Sequence, residues 1–157
     1  MTFAPPQALP GTDSRDPMSS PNPYGEERLR FAEFFIDRLP NGKCRARVCL
    51  TWRGTEQFVG ESEGLTSQAG ELRCAAFACV HALHEAVQSK LTFDLLGVKA
   101  VRAFDSTVVI VSLSTVTHGS PHRIVGSYLT DDDTAKGAAL AVLDATNRIL
   151  GNQLFMR

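Results

Sequence analysis

The sequence predicts an α+β domain made from one βββα unit used twice, with antiparallel sheets and two packed helices. Three observations carry this expectation. Residues 43–52 alternate apolar and polar side chains as a half-wet strand does. Two later stretches, at about 70–88 and 134–150, carry helical stripes. Short matching segments also recur along the chain at nearly constant spacing.

The elements follow in order. Six of the eight prolines (Pro5, Pro6, Pro10, Pro17, Pro21 and Pro23) fall within the first 25 residues, mixed with Ser, Asp, Gly and Asn. Such a composition buries too little apolar area to offset its ordering entropy, so residues 1–26 are expected to be a disordered tail. The domain then spans 27–157, with repeats at about 29–88 and 91–151. Residues 29–37 (LRFAEFFID) suit a strand, and Pro40-Asn41-Gly42 signals a turn. In 43–52, Cys44, Ala46, Val48 and Leu50 share one face, opposite Lys43, Arg45, Arg47 and Cys49. Arg53-Gly54 turns the chain into a third strand beginning near Gln57. The first helix carries Leu72, Ala76, Cys79, Leu83 and Ala86 as a continuous stripe for the sheet.

The pattern then restarts. Residues 91–102 form a strand, and 107–116 (TVVIVSLSTV) form another whose apolar run implies burial on both faces. His118 to Pro121 read as a loop, 123–129 as a third strand and 134–150 as the second helix. Leu29-Arg30-Phe31 matches Leu91-Thr92-Phe93, and Val48-Cys49-Leu50 matches Val111-Ser112-Leu113. Phe58-Val59-Gly60 matches Ile124-Val125-Gly126, and Ala82 matches Ala145. Four matches in register point to internal duplication. One βββα unit buries too little surface to stand alone, so two halves should share a core.

Composition narrows the function classes. Of 157 residues, 43% are apolar and 21% charged, the net charge is −1, and the pI is about 6.4. That balance argues against a nucleic-acid binder, which needs surplus Lys and Arg against phosphate. No stretch approaches a membrane span, and the N-terminus lacks a signal peptide's basic and apolar segments, so a cytoplasmic location is expected. Cys44 and Cys49, like Cys74 and Cys79, are five apart, a spacing that sends each pair to diverging faces; free, partly buried thiols are the expectation. His81, His84 and Glu85 fall within one helical turn, but no convincing third metal ligand accompanies the imidazoles, and a solvated helix face accounts for them. No phosphate loop, nucleophile elbow or zinc-protease signature is present. The sequence therefore predicts a protein that is not an enzyme and calls for no cofactor.

Two sets of residues are candidates for function. The second helix begins after Asp131-Asp132-Asp133, whose carboxylates can cap free amides, and one face carries Ala138, Ala141 and Ala145. Small residues at that spacing allow a second helix to approach, so these alanines, with Arg148 and with Phe77 and His81 of the first helix, form a predicted interface. A homodimer, or a complex with another protein, is expected from it. The other set is a pocket for an amino-acid-like small ligand, built from Gly60, Ser62, Gly126, Ser127, Asp131 and Asp133.

Residues 91–151 resemble the C-terminal regulatory domain of α-isopropylmalate synthases. The resemblance rests on Val125-Gly126, on Asp131 to Asp133, and on AALAVLDATNRIL with Ala145, Asn147 and Arg148 in matching places. That domain is itself a βββα duplication, so the likeness extends more weakly over 29–88. It implies a dimerising module that holds leucine between subunits and signals to a distant active site. Gly60-Glu61-Ser62-Glu63-Gly64 departs from the family, which shows Pro-Val-Asp there, and these residues hold no counterpart of its catalytic barrel.

Overall fold

A computed structural model of the chain describes residues 29–88 and 91–155; the predicted tail at 1–26 lies outside them. The element order is β1 (Leu29–Arg38), β2 (Lys43–Trp52), β3 (Glu56–Leu65), α1 (Gln68–Ala86), β4 (Phe93–Ala103), β5 (Ser106–Thr117), β6 (Ser120–Thr130) and α2 (Thr134–Phe155). The strands form two separate three-stranded antiparallel sheets, ordered β1-β2-β3 and β4-β5-β6. The duplicated βββα architecture is thus the observed one.

Turn chemistry explains the hairpins. His118 and Gly119 both have positive φ, which gives a two-residue turn whose twist matches that of the strands it joins. Ser120 and Pro121 therefore already belong to β6, not to the loop the sequence suggested. Proline is tolerated there because β6 has a neighbour on one side only.

Ladder register sharpens the repeat. Val48 faces Gly60 across β2–β3, and Val111 faces Gly126 across β5–β6, as the sequence matches require. Both first strands break register at the same place, between Phe31 and Glu33 and between Leu95 and Gly97. Phe31 faces Leu50, and Leu95 faces Leu113. The true counterparts are thus Leu29 with Phe93 and Phe31 with Leu95, two residues from the match read in the sequence. A slip of two keeps every side chain on its own face, so periodicity alone cannot detect it.

The core lies where the sheets' inner faces meet the helices. Cys44, Ala46, Val48 and Leu50 of β2 and Val109, Val111 and Leu113 of β5 are fully buried. α1 packs on β3 and β2, on α2, and on β4; α2 packs on β6 and β5 and touches β1. Each half thus also covers part of the other, and one core cluster runs through both. Most of α1 is enclosed, with Ala75, Ala76, Ala78, Cys79, Ala82, Leu83 and Ala86 all fully buried.

Each helix lies very close to its last strand. A Cβ added at Gly60 would overlap Ala78 O and Ala82 N of α1. One added at Gly126 would overlap Ala141 O and Ala145 N of α2. The pair of alanines four apart and the glycine beneath them recur in both halves. Small residues on both sides let helix backbone rest on strand backbone.

Candidate functional site

The predicted interface is revised first. Ala138 and Ala141 are fully buried within one chain, and Ala145 is half-buried against β6. That face is already covered by the chain's own glycine and sheet, so it is not open to a second subunit. The spacing correctly signals close approach, but the approaching partner is strand backbone. Arg148 belongs to α2, and its side chain lies outside the described residues. Phe77 and His81 lie on the outward side of α1.

The predicted ligand residues do not converge within the chain. Gly60 and Gly126 lie in different sheets, and both are sealed beneath helices, so their Cα faces cannot receive a carboxylate. Ser127 N donates to Asp144 Oδ2 at 3.1 Å. Asp133 caps α2: its Oδ1 accepts from Lys136 N at 3.0 Å, as Ser67 Oγ accepts from Gly70 N at the start of α1. Asp131 Oδ1 accepts from Ser106 Oγ at 2.9 Å, which ties the start of β5 to the end of β6.

The histidines are structural more than solvated. His81 Nδ1 lies 2.6 Å from Glu61 O; a carbonyl only accepts, so Nδ1 carries the proton. His84 Nε2 accepts from Phe93 N at 3.1 Å, and its ring stacks on Phe93, with centroids 6.2 Å apart. Partial burial, and secondarily the neighbouring His81, push the His84 pKa below its ordinary value. His84 thus pins the end of α1 to the first residue of β4, which corrects the reading of a wholly solvated face.

All four cysteines are free and buried. Cys74 Sγ donates to Ser62 O at 3.1 Å, and desolvation pushes its thiol up to about 11. Burial raises Cys79 further. Among the described residues, no group of three or more His, Cys, Asp or Glu side chains is placed to hold a metal ion. No helix among them is long and apolar enough to cross a membrane.

What the sequence reading missed is a contrast between the two outer sheet faces. On the first sheet charged residues dominate the outward rows, with Phe35, Val59 and Leu65 exposed among them. Arg45 sits between Asp37 and Glu63 and bonds Glu63 through Nη2 at 2.7 Å; Arg47 Nε lies 3.7 Å from Glu61. The hydrogen bond and charge of Arg45 hold the Glu63 pKa below the usual carboxylate range. On the second sheet the rows are apolar or hydroxylated. Val101, Val108 and Leu129 form one row, Lys99, Ile110 and Ser127 the next, then Gly97, Ser112 and Val125. Asp94, Ser114 and Arg123 form a fourth row, with Val116 beside Pro121 beyond it.

Most of these apolar side chains are uncovered, with Val108 half-buried among them. Val125 and Leu129 are each 61% exposed and Val116 47%. Phe104, in the adjoining β4–β5 turn, is 99% exposed at a positive φ that bulky residues rarely adopt. The expectation that β5 is buried on both faces therefore fails within one chain: only the Val109, Val111 and Leu113 face is covered. No protein-family model matches the chain, and no curated protein matches it.

Proposed function

We propose that this chain is a non-catalytic oligomerisation and partner-interaction module that works through the outer face of its second sheet. One observation carries the reading: the same unit is built twice, and the centre of the outer face is ion-paired in the first copy but apolar or hydroxylated in the second. Arg45–Glu63 and Arg47–Glu61 pairs cross the first sheet, with Phe35, Val59 and Leu65 exposed around them. On the second, Val101, Ile110, Val116, Val125 and Leu129 stand open, with Val108 half-buried among them. An exposed apolar patch with charge confined to its rim is the composition of a contact surface. Four reduced, buried thiols suit work in the cytoplasm.

The test is a photo-crosslinking amino acid placed in the full chain in cells, at Val125 on the apolar face or at Arg47 on the charged one. The reading expects protein adducts from position 125 and none from position 47. Absence of any adduct from position 125 would refute it.

A second reading, an amino-acid-sensing regulatory module like the domain it resembles, draws support from a cavity of about 220 Å³ between β3 and α1. Leu65, Cys74 and Phe77 give it apolar walls, while Arg73 and Glu63 carry the opposite charges a zwitterion needs. A panel of amino acids in a thermal-shift assay tests it. One of them should raise the melting temperature of the wild type but not of Phe77→Ala.

A further inference from the structure

We infer that the occupant of the second sheet's outer face is the same face of a second copy of this chain, packed sheet on sheet about a two-fold axis. The inference rests on the interaction reading above and adds the identity of the partner.

Shape comes first. The face is a three-stranded antiparallel surface whose central strand presents Val108, Ile110, Ser112, Ser114 and Val116, with no charge among them. β-branched and hydroxyl side chains make a low, even relief. Its natural complement is another pleated face at about 10 Å.

Area comes next. Strands ~4.8 Å apart and outward residues ~6.7 Å apart give a footprint of roughly 14 by 30 Å, about 400 Å² in projection. Side-chain relief raises the accessible area toward the roughly 600 Å² per partner of the smaller stable interfaces. Phe104 extends the patch at the end where Val101, Val108 and Leu129 lie. Only a partner that covers the whole face buries enough, and an identical face does so.

Charge selects the orientation. The charged residues facing outward are Lys99 and Asp94 on β4 and Arg123 on β6, all on rim strands. A two-fold axis running across the strands at the Gly97–Ser112–Val125 row reverses the order of the rows. It sets Lys99 of each copy against Asp94 of the other, and lays Arg123 over Ser127. The row of Val101, Val108 and Leu129 then covers Val116 and Pro121. The face is therefore complementary to itself in charge as well as shape, whereas a strongly acidic or basic partner finds no matching field. The first sheet's outer face interrupts its apolar residues Phe35, Val59 and Leu65 with Arg45, Arg47, Glu61 and Glu63, and a two-fold contact that uses one face of each copy closes the assembly at two.

Light scattering coupled to gel filtration of the purified full chain, over a dilution series, tests the inference. The expected species has twice the 17.1 kDa chain mass and dissociates on dilution, with a melting temperature that rises with concentration. Val125→Arg, at a position 61% exposed in the single chain, should run as a monomer with an unchanged circular dichroism spectrum. Lys99→Asp should raise the dissociation constant about tenfold by opposing two carboxylates, and Asp94→Lys added to it should restore the dimer. A wild type that is monomeric at every concentration overturns the second copy as occupant, as does a dimer that survives Val125→Arg. Crosslinking from position 125 in the purified chain separates the remaining occupants. A doubled mass supports the inference, and a link within one chain to residues 1–28 overturns it. If the purified chain is monomeric while adducts of another mass form in cells, the second copy is excluded and the interaction reading stands.

Discussion

Replacing Gly126 with alanine tests the close packing of α2 on β6. The new methyl carbon would sit 2.7 Å from Ala145 Cβ and closer still to Ala141 O, whereas ordinary contact begins near 3.4 Å. Two of the obstructing atoms, Ala141 O and Ala145 N, are helix backbone, which cannot rotate away as a flexible side chain does. α2 must therefore retreat by about 1 Å where it crosses β6. A gap of that size forfeits a quarter to a half of the dispersion energy of each contact it opens. Those contacts include Ala138, Ala141 and Val142, all fully buried. Overpacking of this kind costs about 1–3 kcal/mol, and an immovable obstruction places Gly126→Ala near 3 kcal/mol. For a domain of this length that is about 10 °C in melting temperature. Thermal and urea unfolding followed by circular dichroism would measure it, with the urea slope unchanged. Gly97→Ala is the control, with both variants measured in the Val125→Arg background because Gly97 lies on the proposed dimer face. Within its own chain an added Cβ there meets nothing within 4 Å and no positive φ is strained. It should fall within about 0.5 kcal/mol of the Val125→Arg parent. Equal stability of Gly126→Ala, Gly97→Ala and that parent would show that α2 does not rest on β6 in this way.

Two further outcomes follow from the buried helix and its histidine. Ala141→Glu places an unpaired carboxylate at a fully buried position, at a cost of about 4 kcal/mol; loss of the cooperative melting transition is expected, and a well-folded monomer would refute the burial. His84 has its pKa depressed in the folded state, so the unfolded chain binds the proton more readily. Its contribution is whole above about pH 6.5, the ordinary value, and fades as the pH falls through the lowered folded value. The melting temperature of wild type should drop over that interval more steeply than that of His84→Gln, and parallel pH profiles would count against the His84–Phe93 contact.

Much of the fold was legible because it rests on local rules. Alternation in 43–52 placed Cys44, Ala46, Val48 and Leu50 inward, and those four are fully buried. Three misreadings have long-range causes. The register break after Phe31 and Leu95 interrupts the alternation of each first strand, and a match displaced by two keeps side chains on the same faces, so Leu29-Arg30-Phe31 pairs in the sequence with residues two out of step. The alanine face of α2 looked unpartnered because its partner, Gly126, has no side chain to announce it. The run 107–116 signalled burial on two sides, but a sequence does not state which molecule covers the second. The His84 contact was hidden for a similar reason, since its partner is a backbone N–H that any residue at position 93 except proline would offer.

Two side chains at equivalent places hold the free sides of β3 and β6. His81 gives a proton to the carbonyl of Glu61, the residue after Gly60; Asp144 accepts from the amide of Ser127, the residue after Gly126. An outermost strand offers both groups at such a residue, and each half has taken a different one. Opposite chemistries thus perform the same closure, and the halves cannot exchange these residues. Aspartate at position 81 would turn a carboxylate toward a carbonyl, and histidine at 144 could serve only with its ring in the other tautomer. Through this pair the repeat carries a one-way assignment: each helix is matched to its own strand, and an exchange of helices between halves would lose both hydrogen bonds.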